Sequence, residues 1–224
     1  MHEFGGERSS EVTQCVQGAI HAHQLLLRQV DNLGAHEVRS PSLLPEWTIG
    51  HVLAHLARNA DSHVRMLRAA ADGEVADQYI GGVAGRTADI EEWAVRTAGE
   101  LVSDLRRSVA DLERCWVEAA ESGWPGEGRL ATGQVTATHD LPFRRWREVV
   151  VHHHDLGLGY SWADWPAAYV RVELRRSTMH WASRKPMGFG DLPAAALAAT
   201  DRQRVAWLLG RAEISGLDPA GLMA

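Results

Sequence analysis

Cysteine is almost absent from this chain: Cys15 and Cys115 are the only two in 224 residues, and neither sits in a Cys-x-x-Cys pattern. That excludes a disulfide scaffold and a thiolate-rich zinc site, and it fits a reducing cytoplasm. Any bound metal must therefore be held by histidine and carboxylate. A basic surplus is missing too, since 23 Lys and Arg face 29 Asp and Glu for a formal net charge of -6, which argues against nucleic acid or an anionic membrane as partner. No apolar run approaches the roughly 20 residues of a membrane span, and Met1 to Glu7 lacks the charged-then-apolar pattern of a secretory signal. Internal repeats and low-complexity stretches are absent as well. The expectation is a cytoplasmic protein, monomer or homodimer, that acts on a small molecule.

What the chain does have is helical periodicity. Between Glu11 and Leu33, apolar residues at Val12, Cys15, Val16, Ala19, Ile20, Leu26, Leu27 and Val30 follow the three-and-four spacing of a core-facing helix. After the loop Ser40 to Trp47, Thr48 reads as the N-cap of a second helix carrying Ile49, Val52, Leu53, Leu56, Ala60, Val64 and Leu67, fading near Asp72-Gly73. A glycine-rich connection through Gly81, Gly82 and Gly85 precedes one long third helix from Ile90 to Ala119, closed by Gly123-Trp124-Pro125-Gly126. A short extended stretch, Gln134 to Thr138, leads to Pro142, which opens a fourth helix with the stripe Phe143, Trp146, Val150 and His153. Together these predict a mainly α protein: a four-helix bundle over residues 8–160, followed by a small, mostly helical C-terminal appendage over 161–224. In that appendage, helices are expected near Ala167 to Arg184 and Asp201 to Arg211, with a loosely packed end at Gly216 to Pro219.

Two of these helices carry polar stripes suited to metal. Glu148 and His152 stand four residues apart, as do His51 and His55, and that interval places each pair on one helix face. Imidazole nitrogen and carboxylate oxygen suit zinc, and three protein ligands with one open position is the arrangement of a catalytic site. His55, Glu148 and His152 are the candidate ligands. Asp155, one turn beyond His152, is the candidate to hold that ring's outer nitrogen. His51 is a fourth-ligand candidate better suited to a supporting role, His153 follows the apolar stripe, His154 is expected in solvent, and Trp47 and Trp146 are read as walls. With 12 histidines in the chain, a Glu and His at helical spacing is also an ordinary surface pair, so the pattern alone leaves metal site and solvated face equally open.

Longer motifs add to that reading. Leu44-Pro45-Glu46-Trp47-Thr48, then Gly50 through Ala60, and later Arg145-Trp146-Arg147-Glu148-Val149 with His152 through Gly157, resemble the mycothiol-dependent maleylpyruvate isomerase family over roughly Val12 to Leu217. The resemblance implies a DinB-like metal-binding four-helix bundle with zinc on His55, Glu148 and His152. It also implies mycothiol as thiol cofactor, and an active arginine at Arg211 in Trp207-Leu208-Leu209-Gly210-Arg211. The implied reaction is conversion of maleylpyruvate to fumarylpyruvate in aromatic catabolism, by thiolate addition to the cis double bond, rotation and elimination. Arg145 and Arg58 are weaker candidates than Arg211 to meet substrate carboxylates. Alternatives are a mycothiol S-transferase acting on another electrophile, or a non-catalytic metal- or thiol-binding bundle. The last would be favoured by an acidic fourth ligand from Asp72 to Asp89. The C-terminal part is expected to be shorter than the α+β domain of relatives.

Overall fold

The structure is a computed structural model that describes residues 3–184 and 190–222. The chain forms two compact units, Met1–Leu158 and Gly159–Ala224. The first unit holds α1 (Glu3–Val30), α2 (Ile49–Ala71), α3 (Gly82–Ala94), α4 (Ala98–Glu121), β1 (Glu127–Arg129), β2 (Val135–Ala137) and α5 (Leu141–Asp155). Helices α1, α2, α4 and α5 make the bundle: α2 packs along α4, and α1 packs along α5. Leu26, Leu53, Leu56, Leu101, Leu105, Leu112, Trp116 and Trp146 are buried between them. Their 3.6-residue periodicity gathers the apolar surface on one side of each helix, and its removal from water is what holds the four together. The approach of α1 to α5 is close enough that a Cβ at Gly18 would run into the Trp146 indole.

Helix starts are fixed by local chemistry. Thr48 is extended, and its hydroxyl accepts from the His51 amide while the His51 ring accepts from the Thr48 amide, a reciprocal cap that opens α2. Thr97 and Glu100 cap α4 in the same way. That second cap corrects the single long third helix expected from the sequence. The chain turns at Val95 to Thr97, and the glycine-rich segment before it is already helical as α3. The extended stretch near Gln134 to Thr138 is β2, paired antiparallel with β1.

The second unit contains α6 (Ala167–Ser183), α7 (Ala194–Ala198) and α8 (Asp201–Leu208), with no strand among its described residues. Leu192, Ala196, Trp207, Leu208, Ile214 and Leu222 form its core. The Trp207 indole donates to the Asp218 carbonyl at 3.0 Å. The segment expected to be loose is thus tied down, because Ile214 and Leu222 are apolar residues with a core to enter. No helix among the described residues is long and apolar enough to cross a membrane.

Candidate metal centre

Helix α2 presents His55 two turns after its start, and α5 presents Glu148 and His152 one turn apart. One ligand atom from each of the three lies within 4.8 Å of the others. The Nε2 of His55 is 2.8 Å from the Glu148 Oε2, the Nε2 of His152 is 3.5 Å from the same oxygen, and the two imidazoles meet edge to face at 4.6 Å between centroids. Donor atoms of a tetrahedral site with bonds of about 2.1 Å lie about 3.4 Å apart, so this donor set fits a divalent cation once the His55–Glu148 hydrogen bond opens by about 0.6 Å. His55 is 4% exposed and Glu148 28%, so the cluster is walled on the α2 side and accessible through the carboxylate.

Protonation follows from the surroundings. Burial lowers the His55 pKa to about 4, so this ring is neutral at pH 7. His152 is half-buried and partly desolvated, but hydrogen bonds from its two nitrogens to Asp155 and Glu148 outweigh that cost and raise its pKa. Burial opposes charge on Glu148 too, yet the hydrogen bonds of His152 and His55 hold its carboxyl well below the usual carboxylate range. The centre is therefore a carboxylate between a neutral imidazole and one that readily carries a proton.

Around the cluster, Asp155 accepts from the His152 Nδ1 at 2.8 Å and is itself 2% exposed, which fixes the ring with Nε2 toward Glu148. His51 is not in the cluster: its Nδ1 is committed to the Thr48 cap and its Nε2 stands 3.4 Å from Glu91. Trp47 lines the site, its ring 5.6 Å from His55. His153 is buried and hydrogen-bonded to Gln29. His154 is half-buried rather than solvated. Arg145 lies deeper, fully buried, donating to His23, to the Leu56 carbonyl and to Asn59 at 2.8–3.0 Å. Arg58 is held by Asp61 and Asp104 and lies over the Trp93 ring. Neither arginine is placed to receive an outside anion. Arg211 belongs to the second unit, just past α8, where its guanidinium donates to the Leu209 carbonyl at 2.8 Å.

The segment between Asp72 and Asp89 brings no acidic residue into the cluster among the described residues. It brings cationic and phenolic groups instead. The Arg86 Nη2 stands 3.2 Å from the His55 Nδ1, and its guanidinium lies 5.9 Å from both the Trp47 and Tyr79 ring centroids. Tyr79 is buried and hydrogen-bonds to Asn59 and Arg86. The sequence reading passed over Arg86 because Gly81, Gly82 and Gly85 marked its surroundings as a loop. The available signal was the four-residue spacing of Arg86, Ile90 and Ala94, which puts all three on one face of α3.

Fold and cluster together define a DinB-like helical bundle with two histidines and one carboxylate converging between two of its helices. Residues 20–157 match the family model of the mycothiol maleylpyruvate isomerase N-terminal domain, and the chain belongs to that family. It is similar to two solved structures, a mycothiol-dependent maleylpyruvate isomerase and a histidine-to-alanine mutant of one. Identity is 24% in both cases, 89% of each chain is covered, and the TM-scores are 0.78 and 0.79, a likeness of fold. Coverage of 89% on both sides leaves little room for a markedly larger C-terminal domain in those proteins, against the expectation of a shortened one here. No curated protein sequence matches the chain.

Proposed function

We propose that this protein is a zinc- and thiol-dependent cis–trans isomerase that uses mycothiol and acts on maleylpyruvate or a closely similar unsaturated keto acid. The observation that carries the reading is the convergence of His55, Glu148 and His152 from two helices, with their ligand atoms within 4.8 Å. Family membership and the shared fold support it. His55 and His152 would hold the cation through Nε2 and Glu148 through a carboxylate oxygen, leaving a position open. A divalent cation there supplies Lewis acidity that favours the thiolate form of an incoming thiol near neutral pH.

The chain's own residues do the rest. Asp155 keeps the His152 tautomer that exposes Nε2, and the buried α2 side keeps water from surrounding the neutral His55. Glu148, ionised and shared between both imidazoles, supplies the negative charge that a cation requires. Arg211 would meet the substrate's carboxylate and enolate charge, the role implied by the resemblance of Gly210-Arg211 to the family's C-terminal motif. The test is turnover of maleylpyruvate by zinc-loaded protein with substoichiometric mycothiol. Many turnovers per thiol and a thiol-free trans product are expected. One thiol consumed per turnover would establish a transferase instead, and zinc binding without turnover in any thiol would establish a binding bundle.

A further inference from the structure

Arg86 is the cation nearest the cluster, and it has no carboxylate partner among the described residues. Its Nη2 points at the His55 Nδ1 across 3.2 Å. A guanidinium only donates, so in this arrangement Nδ1 accepts and the imidazole proton sits on Nε2, donating to Glu148 at 2.8 Å. A cation on Nε2 reverses that assignment. The proton of the neutral ring must then sit on Nδ1, and two donors face each other. Arg86 cannot keep this bond in the loaded protein.

Once released, the Arg86 guanidinium has aromatic rather than acidic neighbours among the described residues. Trp47 and Tyr79 flank it, and their rings suit the unsaturated carbon skeleton of a small acid.

Resting on the zinc-site reading above, we propose that Arg86 is the bundle's receptor for a carboxylate of the substrate, freed from His55 when metal binds. The site thereby selects anionic, carboxylate-bearing electrophiles over neutral ones. A guanidinium binds a carboxylate through two parallel hydrogen bonds, so its loss should cost binding about tenfold or more.

The test is a pair of calorimetric titrations on the full chain, zinc into metal-free protein and maleate into zinc-loaded protein, for wild type, Arg86→Met and Arg86→Lys. The Met variant should bind zinc at least as tightly as wild type, because a competing donor and a like charge are gone. Its maleate Kd should rise about tenfold or more, and Lys should recover part of the loss. Equal maleate affinity in wild type and the Met variant, or no maleate bound by zinc-loaded wild type, overturns the proposal while leaving the metal site standing. Weaker zinc binding in the Met variant would make Arg86 an orienting residue for His55, and also overturns it. Failure of wild type to bind zinc removes the metal reading itself.

Discussion

Asp155 Oδ2 lies 2.8 Å from Nδ1 of His152, one turn back along α5, and this bond turns the ring so that Nε2 faces Glu148 and His55. A single buried carboxylate thereby sets both the tautomer and the direction of a candidate ligand. Asp155→Asn keeps the shape but loses the charge that makes the imidazole a better donor to metal. Zinc affinity is expected to fall about tenfold or more, measured by competition with a chromophoric chelator. An unchanged affinity would show that the bond serves packing alone.

His55→Ala and His152→Ala should each abolish stoichiometric zinc, measured as metal per chain after dialysis, while far-ultraviolet circular dichroism stays near wild type. Both side chains sit in helices held by other residues, so the bundle does not depend on them. One full equivalent of zinc retained in either variant would remove the ligand assignment.

Arg145 is fully buried with bonds to His23, Leu56 and Asn59, and burial lowers its pKa to about 10 without discharging it at pH 7. Arg145→Met leaves those three acceptors without their donor, and the loss of a buried hub of this kind costs roughly 3–5 kcal/mol. The check is a fall in the denaturant midpoint at unchanged m-value. A loss under about 1 kcal/mol would mean the remaining groups re-pair among themselves.

Burial lowers the pKa of His23 and of His55 from 6.5 to about 4, and that of His63 to about 3. The unfolded chain therefore takes up protons at 6.5 that the folded chain refuses. These histidines contribute their full stability above pH 6.5 and lose it as pH falls toward 4. His152 acts in the opposite sense, its contribution being full below 6.5 and lost as pH rises through its raised folded value. Between pH 6.5 and 4.5 His152 is protonated in both states and opposes nothing, so metal-free protein should lose several kcal/mol over that window in urea titrations. A flat profile would contradict the buried, neutral state of these rings.

Arg211→Ala should retain zinc and lose turnover by about a hundredfold, the usual cost of removing a group that meets developing negative charge. Unchanged kinetics would show that Arg211 serves only the end of α8, where its guanidinium already answers the Leu209 carbonyl.

The bundle was legible in the sequence because its information is local. Val12 to Val30, Ile49 to Leu67 and Phe143 to His153 repeat apolar residues at helical spacing, and Thr48 and Pro142 mark starts that depend only on neighbouring backbone. Glu148, His152 and Asp155 were equally legible as one face of one helix, since a helix turn is enough to align them. What periodicity could not show was the break at Val95 to Thr97, where a reciprocal cap ends the apparent continuity, nor the helix hidden among Gly81, Gly82 and Gly85.

The chain by itself therefore determined the helices, their inward faces and a donor set restricted to imidazole and carboxylate, because each follows from residue type and spacing alone. Tertiary structure decided which donors meet. It set His55 against Glu148 across 93 positions of chain, withdrew His51 into a cap and Arg145 into the core, and laid Arg86 against the outer nitrogen of His55. Those choices depend on how helices pack side by side, and contacts between distant segments leave no periodic mark in the sequence that makes them.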